Sequence, residues 1–559
     1  MSTPAANANI ARHLALVAAA RPLAPALKIP RGRTPSGDID YLTLTFAELD
    51  AEVAAWCARL MAAGVRRGDR TLVMVRQGLP LIASVFALFR LGAVPVVIDP
   101  GMGRKNFLAC VARSQPRALV GIPLAQVMSH VFRSAFAAVK VRVWASSALT
   151  ARLTSPTPTQ TSPLPIASLP STCAATAASD LAAILFTSGS TGAPKGVCYE
   201  HGMFEAQVRL IRETYGIAPG EIDLPLLPIF ALFNPALGMT TIVPEIDPRH
   251  PAEVDPARIV QAIRQENVTN SFGSPTLWRL IFNHSLTDNV TLPSMRRVLC
   301  AGAAVPASLW TDAPGVLPNG KLSSPYGATE VLPVATVSGD EMPAASIAGA
   351  MVGRPLAENQ VKIIALHDGP LASLIDAREL PPGEIGEIIV TGPTVTKAYD
   401  ALPTATAAAK IYSSQPDGPA VVWHRMGDAG YFDAVGRLWF CGRIAERVKT
   451  ADGILHTEPC EQVFRQHPRV IRCALIGLGE SGRQRAALVV EAGCKSIAEC
   501  QAFANELATL AQQHVHTASI NGFFFRPKFP LDVRHNAKIH RLALARWAAT
   551  AKGFTGGPA

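Results

Sequence analysis

The sequence lacks the features of a redox, zinc-binding or membrane-spanning protein. Its ten cysteines form no C-x-x-C pair and show no Cys/His ligand spacing, which predicts reduced thiols and a cytoplasmic location. No apolar run is long and clean enough to span a bilayer, since the best candidate, residues 78–98, is interrupted by Pro80, Arg90, Gly92 and Pro95. The sequence also contains no internal repeat.

Charged residues are few, and basic residues outnumber acidic ones. Charged residues make up 17% of the 559 residues and hydrophobic ones 49%, which is typical of a globular chain, and the length predicts two or more domains. The formal net charge is +10, but Lys and Arg are scattered, so we expect a diffuse attraction for anionic ligands and no nucleic-acid site. Residues 1–37 lack Asp and Glu, as transit segments do, yet residues 9–20 are better explained as a helix that ends before Pro22.

Strands alternate with helical segments over residues 42–301, which predicts a mostly parallel α/β sheet. The predicted helices are 42–64, 79–91, 109–115, 200–215, 259–266 and 275–282, and the predicted strands are 70–75, 93–99, 118–121, 181–186, 270–273 and 298–301. Residues 145–180, rich in Ser, Thr, Pro and Ala, predict a surface connection. A strand-like pattern at 361–390 predicts a β-rich subdomain, and strands near 471–477 and 486–491 with a helix near 499–513 predict a small α+β domain.

Residues 187–196 spell TSGSTGAPKG and follow a predicted buried strand. Glycines let backbone N–H groups approach an anion closely, hydroxyls add donors, and Lys195 brings a mobile positive charge, so the segment has the composition of a phosphate-binding loop. It is not the pattern G-x-x-x-x-G-K-[ST], because Pro194 stands where the second glycine belongs. A Gly/Ser-rich stretch on its own is as often a flexible loop, and the later motifs decide between the two interpretations.

Three later segments agree with the phosphate-binding interpretation. They are YGATE at 326–330, HRMGD at 424–428 and LWFCGR at 438–443. With the loop at 187–196, they resemble the core motifs of the adenylate-forming enzymes, the family of acyl-CoA synthetases, luciferases and peptide-synthetase adenylation domains. The resemblance implies an α/β fold with a large N-terminal adenylation domain at 1–443, built of two βα-layered subdomains and a β-rich one, and a small mobile α+β domain at 444–559. It also implies attack of a carboxylate on the α-phosphate of ATP, which yields an acyl-AMP and pyrophosphate.

The resemblance carries roles onto individual residues. The loop would hold the β- and γ-phosphates, Thr329 would contact the α-phosphate, and Glu330 would ligate Mg²⁺, a hard cation that prefers oxygen ligands. Tyr326 would stack on adenine, and Asp428 would accept hydrogen bonds from both ribose hydroxyls. The residues implied to bind ATP are Thr187, Ser188, Gly189, Ser190, Thr191, Gly192, Lys195, Gly302, Ala303, Ser324, Tyr326, Gly327, Thr329, Asp428 and Arg443.

Departures from the family's pattern indicate what kind of member this is. Lys538, in the string N-A-K-I, matches the catalytic lysine of the C-terminal domain, which usually sits in G-K-I. Ser324 stands where an Asn is usual, and Ala445 stands at the hinge position usually held by Asp or Lys. The string K-T-A-D-G at 449–453 replaces the glycine-rich loop that helps CoA ligases form a thiol tunnel, which puts a reaction with CoA in doubt.

The acid pocket implied by the resemblance is apolar. It lacks the Phe-Asp pair that anchors a substrate amine in amino-acid adenylation domains, and it offers Phe230, Leu232, Phe233, Leu237, Phe272, Leu277 and Leu332 instead. The same stripe also fits plain core packing. Asn234, a polar residue in an apolar loop, and His201 are the candidates to orient a substrate hydroxyl, and the alternative is that Asn234 only bonds local backbone.

Segments 224–238, 326–334, 426–443 and 529–541 are most similar to one branch of the family, the olefin β-lactone synthetases of long-chain olefin biosynthesis. This implies that a long-chain 2-alkyl-3-hydroxy acid is adenylated with ATP and Mg²⁺, and that its own 3-hydroxyl then expels AMP to close a β-lactone. A long-chain fatty acyl-CoA synthetase, an acyl-AMP ligase and a non-catalytic binding subunit remain as alternatives. Peripheral contact with a membrane and assembly with other olefin-pathway enzymes also stay open.

Overall fold

The computed structural model describes residues 7–145, 173–187, 193–247, 253–343, 348–415, 418–494, 496–530 and 539–557. It divides into two compact units. The first unit comprises Met1–Ala301, Val305–Pro333 and Gly392–Thr406, and the second comprises Gly302–Ala304, Val334–Thr391 and Ala407–Ala559. Most of the predicted connection at 145–180, residues 188–192 of the glycine loop and Lys538 lie outside the described residues.

The helices and strands follow in chain order. The α-helices are α1 (Arg12–Ala20), α2 (Phe46–Ala62), α3 (Leu79–Leu91), α4 (Arg104–Ser114), α5 (Pro123–Val131), α6 (His201–Tyr215), α7 (Asn234–Leu237), α8 (Pro256–Glu266), α9 (Pro275–Thr287), α10 (Ala307–Val316), α11 (Pro403–Ala409), α12 (Thr457–Arg465), α13 (Ile497–Gln512) and α14 (Arg541–Ala548). The strands are β1 (Pro25–Arg33), β2 (Ile39–Thr45), β3 (Arg70–Met74), β4 (Val94–Ile98), β5 (Ala118–Gly121), β6 (Val141–Trp144), β7 (Leu181–Thr187), β8 (Lys195–Glu200), β9 (Ile222–Asp223), β10 (Thr240–Ile242), β11 (Asn270–Gly273), β12 (Arg297–Cys300), β13 (Lys321–Ala328), β14 (Val331–Ser338), β15 (Ala350–Pro355), β16 (Gln360–Ile364), β17 (Gly386–Thr391), β18 (Lys410–Gln415), β19 (Gly418–Phe432), β20 (Leu438–Arg443), β21 (Val448–Lys449), β22 (Ile454–Leu455), β23 (Cys473–Leu478), β24 (Arg485–Glu491), β25 (Gly522–Arg526) and β26 (Phe554–Thr555).

A six-stranded sheet in the first unit carries the glycine loop. Its strand order is β6-β5-β3-β4-β7-β8, and its neighbours are parallel except for the antiparallel pair β7–β8. The strands are apolar on both faces, as in a parallel sheet covered by helices, and β4 reads VPVVI. Helices α4 and α5 share one apolar cluster with this sheet through Phe107, Val111 and Met128.

A second sheet in the same unit has the order β13-β12-β11-β9-β10-β1-β2. It is parallel from β13 to β1, and only β2 runs antiparallel, on β1. Helices α8, α9 and α10 bury their apolar faces against it around Trp278 and Phe282. Thr329 and Glu330 follow the carboxyl end of β13, and Asp223 is the last residue of β9. Ligand sites of open α/β sheets lie at the carboxyl ends of the strands.

The second unit is richer in antiparallel pairing. One sheet has the order β16-β17-β19-β20-β15-β14, with β18 paired to β19. A smaller sheet has the order β23-β24-β25-β26, in which only β24 and β25 are parallel, and helices α12 and α13 cover one face of it around Phe464 and Phe503. These two sheets are the predicted β-rich subdomain and the predicted small α+β domain.

The predicted fold class is confirmed, and most predicted elements are present with shifted ends. Helix α3 and strand β5 have the predicted bounds, whereas the helix predicted at 109–115 begins earlier, at Arg104. The helix predicted within 42–64, with Thr43 or Thr45 as N-cap, begins at Phe46, because Thr45 is its N-cap and accepts a hydrogen bond from the Glu48 backbone N–H at 3.2 Å. The antiparallel pair of β1 and β2 was not predicted, because the prolines in β1 are unfavourable in a strand. The domain boundary at 443/444 stays a prediction.

Candidate active site

The glycine loop connects the two strands of a tight antiparallel pair. Strand β7 ends at Thr187, and its partner β8 begins at Lys195, so that these two residues face each other in the ladder. Gly196 has no room for a side chain, because a Cβ atom there would lie 2.6 Å from Phe186 Cζ and 3.0 Å from Ile184 Cγ2. The strand pair therefore fixes Lys195 at the exit of the loop, where the sequence predicted it to serve.

Lys195 and Glu330 are brought together by a residue that the sequence analysis did not single out. The Nζ atom of Lys195 lies 4.7 Å from the centroid of the Tyr399 ring, within the range of a cation–π interaction. The hydroxyl of Tyr399 donates to Glu330 Oε1 at 2.7 Å. Tyr399 thus links the cation predicted for the phosphates to the carboxylate predicted for Mg²⁺.

The segment that carries Tyr399 is anchored along strand β8. The Cys198 N–H donates to the Ala398 carbonyl at 3.2 Å, and the Asp400 N–H donates to the Gly196 carbonyl at 2.7 Å. Arg70 then clamps the buried carboxylate of Asp400 with two hydrogen bonds, at 2.8 and 3.2 Å. A bidentate pair of this kind fixes orientation as well as distance. Sequence reasoning missed this segment, because residues 394–400 read TVTKAYD and match no motif.

The YGATE motif forms a turn between two strands. Strand β13 ends at Ala328 and β14 begins at Val331, so Thr329 and Glu330 connect them. The carbonyl of Glu330 accepts hydrogen bonds from the backbone N–H and the hydroxyl of Thr396, at 2.9 and 3.0 Å. The carbonyl of Thr329 accepts a hydrogen bond from the hydroxyl of Tyr199. Both turn residues are therefore held through their backbones, and the carboxylate of Glu330 is held in addition by the Tyr399 hydroxyl.

The rest of the motif fits the same arrangement. Ser324 and Tyr326 are two residues apart on β13, so their side chains lie on one face of the strand, and both are partly exposed. Gly327 directly follows Tyr326 and has no space for a Cβ, which would lie 2.7 Å from the Val331 carbonyl oxygen. The structure thus gives a reason for the glycine that is independent of any ligand.

His201 is a packed core residue in the structure. Its side chain is buried, its Nδ1 accepts the Ile10 backbone N–H at 3.3 Å, and its ring lies edge-on to Phe89. Burial lowers its pKa to about 4, so the ring is neutral near pH 7. These contacts favour a structural role over the orientation of a substrate hydroxyl.

Asn234 belongs to a buried polar network. Its Nδ2 donates to Asp223 Oδ2 at 2.8 Å and to Thr241 Oγ1 at 3.0 Å, and Asn270 Nδ2 donates to the other Asp223 oxygen at 2.5 Å. Burial raises the pKa of Asp223 to about 6, although the hydrogen bonds from the two amides oppose that rise. The amide nitrogen of Asn234 therefore bonds side chains of neighbouring strands, and the role of Asn234 toward a substrate stays a prediction.

The predicted acid-pocket residues fall into two groups. Leu237, Phe272 and Leu277 are buried, and Leu277 belongs to the core beneath the second sheet. The others, Phe230, Leu232, Phe233 and Leu332, are partly exposed. Phe230 stacks on Phe272 with ring centroids 3.6 Å apart, in a turn at Pro228–Leu232. Phe272 therefore supports the ring of Phe230, and contact of the partly exposed group with an acyl chain stays a prediction.

The second unit holds the predicted ribose-binding pair. Asp428 and Arg443 face each other on β19 and β20. Arg443 forms an ion pair with Asp428 Oδ1 at 2.9 Å and donates a hydrogen bond to the Met426 carbonyl at 3.0 Å. The Asp428 side chain is buried, and the guanidinium of Arg443 lies beside its carboxylate. Gly302 and Ala303 also belong to this unit, and Gly302 has a φ of +99°, which favours glycine.

The segment after Arg443 is tied to the beginning of α14. Residues Ile444–Glu446 form a single turn, and Arg541 binds Glu446 at 3.0 Å and Glu461 at 2.8 Å. The K-T-A-D-G string forms the tight connection between β21 and β22, in which the Thr450 N–H and hydroxyl both donate to the Gly453 carbonyl at 2.9 Å. The altered loop is therefore a closed hairpin in this structure.

The donor set fits a magnesium–nucleotide and not a dedicated metal cage. Within the described ranges, no group of three or more His, Cys, Asp or Glu side chains is placed to hold a metal ion. Mg²⁺ usually takes one or two protein carboxylates together with substrate phosphates, and the single carboxylate of Glu330 meets that need. Within the described part of the chain, no helix has the length and hydropathy needed to cross a bilayer.

Comparisons with known proteins agree with this geometry. A family model described as AMP-binding enzyme matches residues 17–400. The chain is 44% identical over 556 residues to an olefin beta-lactone synthetase of Stenotrophomonas maltophilia, covering 97% of this chain and 98% of the relative. It is 43% identical over 558 residues to an olefin beta-lactone synthetase of Xanthomonas campestris, covering 97% of both.

Solved structures show the same fold at lower identity. ATP-bound MatB from Rhodopseudomonas palustris superposes with a TM-score of 0.76 at 20% identity, covering 97% of this chain and 99% of that one. The O-succinylbenzoate coenzyme A synthetase of Bacillus subtilis, in complex with AMP, superposes with a TM-score of 0.73 at 21% identity, covering 98% and 99%. The chain belongs to the AMP-binding family of adenylate-forming enzymes, and its relatives at 43–44% identity are olefin β-lactone synthetases.

Proposed function

We propose that this enzyme uses ATP to convert a long-chain 2-alkyl-3-hydroxy acid into a β-lactone, with release of pyrophosphate and AMP. The observation that carries the proposal is the 44% identity to an olefin beta-lactone synthetase over nearly the whole of both chains. The apolar turn at Pro228–Leu232 supports an acid with an apolar chain, because Phe230 and Leu232 are partly exposed there.

In the first step, a carboxylate oxygen attacks the α-phosphorus of ATP, and pyrophosphate leaves. Both reactants are anions, so the chain must screen their charges and hold them in line. We propose that Lys195 holds the β- and γ-phosphates and that Thr329 contacts the α-phosphate. We propose that Lys538 neutralises negative charge on the α-phosphate and the carboxylate during adenylation. Tyr399 keeps Lys195 and Glu330 in fixed relation through its ring and its hydroxyl.

Two further groups hold the nucleotide in this proposal. Mg²⁺, held by Glu330, would neutralise phosphate charge. Asp428, fixed by Arg443, accepts the ribose hydroxyls, and the partly exposed ring of Tyr326 stacks on adenine. The carboxylate–guanidinium pair supports the ribose assignment because it orients the acceptor before the nucleotide arrives.

In the second step, the 3-hydroxyl oxygen attacks the acyl carbonyl carbon, the C–O bond to phosphate breaks, and AMP leaves while the hydroxyl proton passes to solvent or a base. The nucleophile and the electrophile share one molecule, so orientation supplies much of the rate. We propose that Asn234 helps to orient this hydroxyl. No thiol acceptor is needed, which agrees with Ala445 at the hinge position and with the closed hairpin at 449–453.

The test is acid-dependent release of pyrophosphate and AMP with three acids: a 2-alkyl-3-hydroxy acid, a 3-hydroxy acid and a plain fatty acid, each with and without CoA. We expect AMP and a dehydrated cyclic product from the hydroxy acids alone, with no effect of CoA. A thioester that forms only with CoA would show an acyl-CoA synthetase. Stable acyl-AMP without ring closure would show an acyl-AMP ligase, and no pyrophosphate release from any acid would show a binding subunit.

A further inference from the structure

One region of the chain contains almost all of the excess positive charge. Residues 100–179 contain eight Lys and Arg residues and no Asp or Glu, in a protein whose net charge is +10. The first carboxylates on either side are Asp99 and Asp180. Arg117 of this block forms an ion pair with Asp69, which lies outside it, but the block itself supplies no negative charge, so its remaining cations attract an anionic partner more strongly than scattered charge would.

Helix α5, within this region, presents an apolar stripe to solvent. Its inner face is buried through Ala125, Gln126 and Ser129. On the outer face, Leu124, Val127 and Val131 are 64, 57 and 66% exposed. Their spacing of three and four residues puts them in one row along the helix. Isolated exposed apolar residues are ordinary, but a row of three on one short helix needs a partner or a special environment.

A tryptophan extends this surface. Trp144, at the end of the edge strand β6, is 51% exposed. The two-residue period of a strand puts it on the same side as Arg142, whose Nε donates to Ser129 of α5 at 3.1 Å. The helix is held against this strand as well by Gln126, which donates to the Val143 carbonyl at 3.0 Å.

Basic side chains stand beside the stripe. Arg133 is exposed two residues after the end of α5, where its Nε donates to the His130 carbonyl at 3.2 Å, and Lys140 is exposed just before β6. Apolar side chains, an amphipathic aromatic residue and nearby cations are the combination that binds the interface of an anionic bilayer. A protein partner would need acidic groups opposite these cations as well as an apolar patch.

We propose that the surface formed by Leu124, Val127, Val131 and Trp144, with Arg133 and Lys140 beside it, docks the enzyme on anionic lipid membranes. We call it the α5 surface. The proposal rests in part on the proposed function, because a long-chain hydroxy acid and its lactone partition into bilayers. Docking would let the enzyme collect its substrate from the membrane rather than from water.

The experiment is co-sedimentation of the full chain with vesicles. One set contains phosphatidylglycerol and phosphatidylethanolamine, and the other contains only phosphatidylcholine. We expect binding to the anionic vesicles at low ionic strength and weaker binding as salt rises. The variant Arg133→Gln/Lys140→Gln should bind on the order of twenty-fold more weakly, since each cation near an anionic surface is worth about fivefold. Failure of the wild-type protein to bind anionic vesicles at low salt would overturn the proposal.

A matched pair of triple variants separates the α5 surface from general hydrophobicity. Leu124→Gln/Val127→Gln/Val131→Gln should reduce vesicle binding at least tenfold. The control is Ile471→Gln/Ile497→Gln/Val515→Gln, which removes three side chains of the second unit that are 68, 64 and 99% exposed. The control should bind like the wild-type protein. Equal binding by both triple variants, or self-association of the wild-type protein that depends on the α5 surface without vesicle binding, would contradict membrane docking.

Failure of membrane docking and failure of the proposed β-lactone synthesis give different results. Both triple variants should release AMP at the wild-type rate from a short, water-soluble 3-hydroxy acid that the wild-type enzyme accepts, because none of the changed residues is part of the active site. Vesicle binding without lactone formation by the wild-type protein would refute the function and leave the surface standing. Lactone formation without vesicle binding would refute the surface alone.

Discussion

Replacement of Asn234 by Ala tests the buried network around Asp223 most sharply. The amide of Asn234 donates to the Asp223 carboxylate and to the Thr241 hydroxyl, and the variant removes both bonds while Asp223 stays buried. A hydrogen bond to a charged group contributes about 1.5–3 kcal/mol and one to a neutral group about 0.5–1.5 kcal/mol. We therefore expect the variant to lose about 2–4.5 kcal/mol of unfolding free energy at pH 8.

The loss should depend on pH in a defined direction. The folded-state pKa of Asp223, about 6, lies above the ordinary value of 3.8, so the native protein takes up a proton between these values that the unfolded chain does not. The contribution of Asp223 to stability is thus largest below pH 4 and falls as the pH rises through 6. At pH 5 the carboxyl is mostly protonated in the folded wild-type protein, and the Asn234 bond is then a neutral one. The variant should lose about 1 kcal/mol less at pH 5 than at pH 8.

The assay is urea-induced unfolding of both proteins at pH 5 and pH 8, with lactone formation measured in parallel. The control is Asn319→Ala, which removes one exposed bond from an Asn side chain to the Pro293 carbonyl and should change stability by less than about 0.5 kcal/mol at either pH. Equal destabilisation of Asn234→Ala at both pH values would refute the reasoning about Asp223. Unchanged lactone formation per folded molecule would remove Asn234 from hydroxyl orientation.

Two other contacts give predictions of their own. Tyr399→Phe removes the hydroxyl bond to Glu330 and should lower kcat/KM for ATP about tenfold, which is a loss near 1.4 kcal/mol of transition-state stabilisation. The control Tyr412→Phe, at an exposed tyrosine, should leave kcat/KM unchanged. Wild-type kinetics for Tyr399→Phe would contradict the link between Tyr399 and Glu330. Arg541→Met leaves the buried carboxylate of Glu446 without its cation and should cost about 3–5 kcal/mol of unfolding free energy near pH 7, with a smaller loss at acidic pH, where that carboxylate is neutralised. Thermal unfolding of Arg541→Met at two pH values checks this, and an unchanged melting temperature would show that the ion pair contributes nothing.

The sequence predicted those parts of the fold in which local pattern and tertiary structure agree. Helix α3 lies between two glycines and has an apolar face, so its bounds follow from the sequence alone. Strand β7 was equally clear, because a short apolar run ends in a cluster of turn-forming residues. The ribbon of β1 and β2 was not predictable in this way, since its two prolines and its glycine argue against a strand unless the partner strand is known.

The site residues that lie in contiguous motifs could be predicted from the sequence. The site residues that are joined only by contacts between distant parts of the chain could not. Lys195, Glu330 and Asp428 lie in contiguous motifs, and the structure gives each a defined backbone setting. Tyr399 is separated from Glu330 by 69 positions in the chain, and only the pairing of its segment with β8 reveals the link. Asn234 was noticed as a polar residue in an apolar loop, but its partner Asp223 becomes visible only when the second sheet is assembled.

The central claim is that ring closure follows adenylation within one active site and without CoA. The most direct test uses a 2-alkyl-3-hydroxy acid that carries ¹⁸O, in one sample in the carboxylate and in another in the 3-hydroxyl. We expect one carboxylate ¹⁸O to appear in AMP and the hydroxyl ¹⁸O to be retained as the ring oxygen of a β-lactone, with ATP as the only added co-substrate. Unlabelled AMP from the carboxylate-labelled acid, or a product that forms only when CoA is added, would contradict it.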